Sequence, residues 1–214
     1  MLLKPRRVTE QDLIACMRAH LPQWSHDPLF FTPIPTGKFN TSYFVDVADQ
    51  QFVLRIAPHK RSTMLFYERQ MMRQEPALHR LLRERTDVPV PEVIALDTTH
   101  QVIDRDFIIM RRLEGVPLSE ASHVDHDKVL EHVGRALAQV HDLTADMYGY
   151  LGEHQPMPPQ PTWTDAFRIM WHKLIDDVAA TGHYSAQERE DMLTLLDLHL
   201  TWFVRRHEPA RLLH

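Results

Sequence analysis

Val53 and Arg55 stand two residues apart in a stretch, Pro35 to Ile56, that reads PTGKFNTSYFVDVADQQFVLRI. Apolar residues alternate on both sides of a short polar turn, a pattern that predicts a β-hairpin. Tyr43, Val45 and Val47 fall on one face of the first strand, and Phe52, Leu54 and Ile56 on one face of the second. That leaves Val53 and Arg55 together on the opposite face. A cation beside a small apolar residue, behind a loop holding Gly37, could seat a nucleotide. On the hairpin alone, a half-buried surface ribbon with one solvated arginine accounts for the same residues.

A second group, His123, Asp125, His126 and Asp127, carries ligand-type side chains in a chain with 15 histidines. No HExxH helix or cysteine pair completes a metal set, and the cluster fits the polar start of a helix.

The elements that must position these residues follow from periodicity. Thr9 opens a helix with Asp12 at a capping-box position and Leu13, Ile14, Met17 and Leu21 as its apolar stripe, ending before Pro22. After the hairpin, apolar spacing predicts a helical segment from about Thr63 to Arg83, kinked or divided at Pro76. PEVIALD and DFIIMRRL read as two further strands, giving a small α+β lobe of about 110 residues. From Glu114 onward the strand signals vanish. One helix covers 127–143 with Val129, Leu130, Val133, Leu137 and Val140 on a stripe, and a proline-rich connector spans Pro156 to Pro161. A second helix runs from Trp163 to a stop at Gly182, and a third opens with Ser185 and Glu188 as a capping box. This last helix is apolar on two faces, which calls for partners on both.

Composition narrows the function classes. A chain of 214 residues can bury a sizeable core, and its net charge of -5 argues against nucleic-acid binding on a basic surface. No segment approaches the ~18 apolar residues that span a bilayer. The single cysteine, Cys16, excludes an internal disulfide and reads as a core thiol of the first helix in a soluble, cytoplasmic protein.

Taken in order, a Gly/Asn loop between strands, VLR on the next strand, a helical acid, VPVPEV, FIIMRRLEG, and a helix running into HDLTADMYGYLG form one set. The chain resembles the aminoglycoside phosphotransferase and choline kinase family of small-molecule kinases, from about Thr32 to His214. The resemblance implies a protein-kinase-like α+β fold: a nucleotide-binding N-lobe over 1–111, a hinge over 112–118, and a partial helical C-lobe over 119–214.

It also implies roles for residues. Gly37 and Asn40 match the loop over the nucleotide phosphates, with one glycine where kinases often carry more. Arg55 matches the strand cation that contacts the α- and β-phosphates, and Glu75 the helical acid that pairs with it, with Glu68 as the fallback. Arginine in place of lysine keeps the charge and adds a planar fork suited to phosphate. Val53 would touch adenine, Met110 would lie at the back of its pocket, and Arg111, Arg112 and Leu113 would form the hinge whose backbone binds the base. His141, Tyr148 and Gly149 match a structural stretch.

The closing residues ARLLH look like the approach to a His-Gly-Asp motif, with His214 as its first residue. The base and the Mg²⁺ ligands that follow in the family have no counterpart within the chain. The resemblance therefore implies γ-phosphoryl transfer from ATP, with Mg²⁺, to a hydroxyl on a small acceptor, and a 214-residue polypeptide inactive by itself. A non-catalytic pseudokinase that binds nucleotide or a partner is the alternative. Neither the acceptor, nor ATP against GTP, nor the oligomeric state is legible.

Overall fold

The computed structural model describes residues 7–35, 39–59, 64–204 and 209–213. They divide into two units, one built from Met1–His59 and Val90–Gly115 and the other from Lys60–Pro89 and Val116–His214. Residues 60–89 thus group with the helical part of the chain.

The first unit begins with α1 (Glu10–His20), whose start is fixed as its sequence predicts. Thr9 accepts from the Asp12 N–H at 3.3 Å, and the Asp12 carboxylate accepts from the Thr9 N–H at 2.9 Å. This reciprocal cap satisfies two of the donors that a helix start leaves unpaired. The helix buries Leu13, Cys16 and Met17.

Five strands follow: β1 (Leu29–Ile34), β2 (Thr41–Val47), β3 (Gln50–Ile56), β4 (Val93–Asp97) and β5 (Phe107–Arg111). Every pairing is antiparallel, in the order β1-β2-β3-β5-β4. The predicted hairpin is β2–β3, turning through Ala48, which adopts φ 52. Its predicted core face is the observed one: Val45, Val47, Phe52, Leu54 and Ile56 join Phe107 and Ile109 of β5 and the buried residues of α1 in a single cluster. Period-2 alternation suffices for this, because a strand with one face against a helix must put its apolar set there.

β1 is an element the sequence reading lacks. It sits at the sheet edge and carries Pro33, which cannot donate to a ladder and is tolerated where only one side is paired.

The second unit also departs from expectation near its start. Thr63, the expected start of the helical segment, lies outside the described residues, and residues 64–74 form no α-helix: turns lead into a 3₁₀ segment, Met71–Gln74, and α2 occupies Glu75–Arg85. Gln70, at φ 61, interrupts the helical spacing. Pro76 lies in the first turn of α2, where its missing N–H costs nothing. The segment is tied to a later helix, α4 (Trp163–Ala180): the Phe66 N–H donates to the Asp177 carboxylate, and Arg69 Nη2 meets the same carboxylate at 2.6 Å.

α3 (His126–His141) is capped by Asp125, and α5 (Ala186–His199) by Ser185 and Glu188 in the predicted box. α4 and α5 are joined by an Arg168–Asp197 ion pair at 3.0 Å and by Trp171 Nε1 donating to the Met192 carbonyl at 3.1 Å. α5 buries Leu193 and Leu196 on one side, while Leu195 and Leu198 stay exposed. On α3 the expected stripe is buried only at its end: Val140 is enclosed, whereas Leu130 and Val133 are 56% and 46% exposed. A two-stranded ladder of β6 (Thr144–Ala145) and β7 (Ala210–Arg211) completes the unit. Among the described residues, no helix is long and apolar enough to cross a membrane.

Candidate functional site

The strand register of the first unit fixes what shares the sheet face opposite the α1 core. Directly paired residues of an antiparallel ladder project to the same side. One row therefore reads Thr32, Phe44, Val53, Met110, Val93, and the next reads Ile34, Ser42, Arg55, Ile108, Leu96. Val53 and Met110, singled out separately in the sequence, are cross-strand partners, with Arg55 one row away on the same face. Met110 is only 4% exposed, while Val53 and Arg55 are half-buried.

Asn40 is half-buried immediately before β2. Gly37, its expected companion in the phosphate loop, and His214 lie outside the described residues. Glu75 is the first residue of α2 and belongs to the second unit; Glu68 accepts from the Leu65 N–H at 2.8 Å within its own turn.

At the expected hinge, two of the three N–H groups are already engaged. Arg111 N–H donates to the Glu92 carbonyl at 2.9 Å, and Arg112 N–H to the Gln51 carbonyl at 3.1 Å. Their side chains diverge, as alternation requires. The Arg111 guanidinium lies over Phe52 on the core face, 4.8 Å from the ring centroid, with Nη1 donating to Gln50 Oε1 at 2.5 Å. The Arg112 guanidinium lies over Phe44 at 4.0 Å. Phe44 and the Arg112 side chain are the members of this face that sequence reasoning overlooks. Alternation alone places Phe44 opposite Tyr43 and Val45, but nothing local announces that Arg112 reaches it.

Other titratable groups have structural partners. Asp97, at the end of β4, accepts from Thr99 N–H and Oγ1 at 2.8 and 2.7 Å and meets His20 Nε2 at 2.9 Å. Burial pushes this carboxyl up, but the bonds from Thr99 and His20 outweigh it and hold Asp97 below the ordinary carboxylate value. Asp125 accepts from the Lys128 N–H as the α3 cap, and His126 Nε2 lies 3.4 Å from the Ala121 carbonyl, in keeping with a helix start. Among the described residues, no group of three or more His, Cys, Asp or Glu side chains could hold a metal ion.

Comparison with known proteins defines the class. The model of the phosphotransferase enzyme family matches residues 31–214, and the chain belongs to that family. A mouse (Mus musculus) protein named acyl-CoA dehydrogenase family member 10 is 25% identical over 229 residues, covering 99% of this chain and 19% of its own length. Among solved structures, aminoglycoside phosphotransferase APH(4)-Ia is 17% identical with a TM-score of 0.54, covering 89% of this chain and 60% of its own. A structure described as a putative fructosamine-3-kinase from Haemophilus somnus 129PT is likewise 17% identical with a TM-score of 0.54, covering 88% of this chain and 61% of its own. The shared feature at these identities is the fold, a kinase-like α+β architecture. This chain spans about three-fifths of those solved chains and about one-fifth of the mouse protein.

Proposed function

We propose that the chain supplies the nucleotide seat of an ATP-dependent phosphotransferase whose acceptor is a hydroxyl on a small molecule. The observation that carries this reading is the pairing of Val53 with Met110 on a sheet face that also bears Arg55, within a chain whose family is phosphotransferase. An apolar strip with a cation on the same face suits a flat base joined to an anionic tail. A thermostable mutant of the structurally similar APH(4)-Ia is known as a ternary complex with AMP-PNP and hygromycin B, a nucleotide and a small molecule bound together.

Under this reading Val53 and Met110 contact adenine, Arg55 and Asn40 face the phosphates, and the hinge backbone reads the edge of the base. Because the Arg111 and Arg112 N–H groups already donate to the Glu92 and Gln51 carbonyls, the donor at the hinge is Leu113. ATP would supply the γ-phosphoryl group, and positioning and charge stabilisation would account for most of the acceleration. The family resemblance assigns neither the base nor the Mg²⁺ ligands to residues of this chain, so we expect the 214-residue polypeptide to bind ATP without transferring phosphate.

Calorimetric titration of ATP into the wild-type chain and Arg55→Ala tests the seat. Removal of a charge-assisted hydrogen bond of about 1.5–3 kcal/mol weakens ATP roughly 10- to 150-fold. Equal affinity in the two proteins refutes the role of Arg55. Acceptor phosphorylation by the purified chain at about 1 s⁻¹, a rate typical of kinases, refutes the expected inactivity.

A further inference from the structure

The nucleotide reading uses only the backbone around the hinge, yet the Arg112 side chain crosses the proposed seat. Arg112 follows β5, Phe44 is on β2, and β3 runs between them. Adjacent strands lie about 4.8 Å apart, so a contact from the end of β5 to β2 spans two strand spacings and must pass over β3. The 4.0 Å approach of the guanidinium to the Phe44 ring shows that the side chain makes this crossing. Its backbone is fixed by the bond to the Gln51 carbonyl, and Phe44 is paired with Val53, so the crossing lies beside Val53.

A guanidinium is flat, weakly hydrated for a cation, and stacks on aromatic rings as a base does. Resting on Phe44 next to Val53 and Met110, it covers part of the surface that an adenine ring would need. We infer that Arg112 is an internal occupant of the seat, which a purine must displace; this rests on the nucleotide reading above. Arg112 then sets the affinity threshold of the site. The interaction it gives up is the stacking on Phe44, and its charge becomes free to meet another group.

Adenosine is the appropriate probe, because it carries no phosphate and removes the attraction between Arg112 and an anion. Adenosine and ATP are titrated into wild type, Arg112→Ala and Arg55→Ala, and the Arg112 side-chain protons of the wild type are followed by NMR. Adenosine is expected to bind Arg112→Ala about two- to thirtyfold more tightly than wild type, the range set by the cation–π stacking that the wild type must break. The upfield ring-current shift of the Arg112 protons is expected to vanish as adenosine saturates the wild type. Equal or weaker adenosine binding by Arg112→Ala, or a ring-current shift that persists at saturation, overturns the inference. If Arg55→Ala meanwhile loses ATP, the nucleotide seat stands and only the occupant role of Arg112 falls. If neither adenosine nor ATP binds wild type or Arg112→Ala, the seat itself falls and the inference with it.

Discussion

Gly152 and Gly182 share a left-handed backbone, at φ +61 and +82, but not their surroundings. A Cβ at Gly182 would meet nothing within 4 Å, whereas one at Gly152 would lie 3.0 Å from Ala77 Cβ, 3.2 Å from the Arg73 carbonyl oxygen and 3.4 Å from Gln74 Cα. Alanine at either position carries the left-handed penalty of about 1–2 kcal/mol. At Gly152 it also presses on the backbone leading into α2, and overpacking of this kind adds about 1–3 kcal/mol. Gly134, inside α3 with open space around it, provides the opposite sign: Gly134→Ala is expected to stabilise by about 0.5–1 kcal/mol, because alanine loses less backbone freedom on folding. All three glycines lie in the unit that contains Trp163, Trp171 and Trp202, so urea unfolding followed by tryptophan fluorescence reads them together. The expected order of stability is Gly134→Ala above wild type, then Gly182→Ala, then Gly152→Ala. A Gly152→Ala variant no less stable than Gly182→Ala would refute the claim that the loop at 152 is held tightly against the start of α2.

Two further outcomes follow from buried titratable groups. His154 is 2% exposed, its Nε2 has no hydrogen-bond partner, and burial lowers its pKa against the opposing effect of the bond the ring donates to the Tyr67 backbone. The unfolded chain therefore takes up this proton first, so stability falls as pH drops below about 6.5, by at most about 1.4 kcal/mol per pH unit, until the folded-state value is reached. His154→Asn is expected to flatten that slope between neutral and mildly acidic pH, and an unchanged slope in urea titrations would count against it. Burial, with Asp12 and Asp97 nearby, pushes the Cys16 thiol up to about 12. Native protein at pH 8 is therefore expected to resist iodoacetamide until urea unfolds it; prompt labelling of the folded chain would be the contrary result.

What the sequence made legible was local. The capping boxes at Thr9 and Ser185, the β2–β3 alternation and the buried strand β5 each announce themselves within a few residues, and each is present as read. β1 was obscured because Pro33 and the exposed Phe30 spoil its alternation, and an edge strand tolerates both. The stretch before Glu75 has helical apolar spacing, but Gln70 turns left-handed within it, a backbone choice that spacing cannot register. Leu130 and Val133 show the converse limit, since an apolar stripe marks a helix face without stating what covers it. On the candidate face, Val53 and Arg55 were readable from one strand. Their neighbours Phe44 and Arg112 meet only through the β2–β3–β5 pairing, which is information the chain holds at long range.

The central pairing of the sheet has a kinetic consequence. β3 finds β5 only after the chain has passed through residues 60–89, which belong to the other unit, so the first unit is discontinuous in sequence. Even the nearest registered pair, Ile56 with Phe107, must close a loop of some fifty residues, an entropic demand of roughly 3–4 kcal/mol before any contact repays it. During synthesis the β2–β3 hairpin emerges early with one edge unpaired, and it stays so until β5 has left the ribosome. The free edge of β3 is open to wrong strand partners during that interval, and the closing of β5 onto β3 is expected to limit the refolding rate of the first unit.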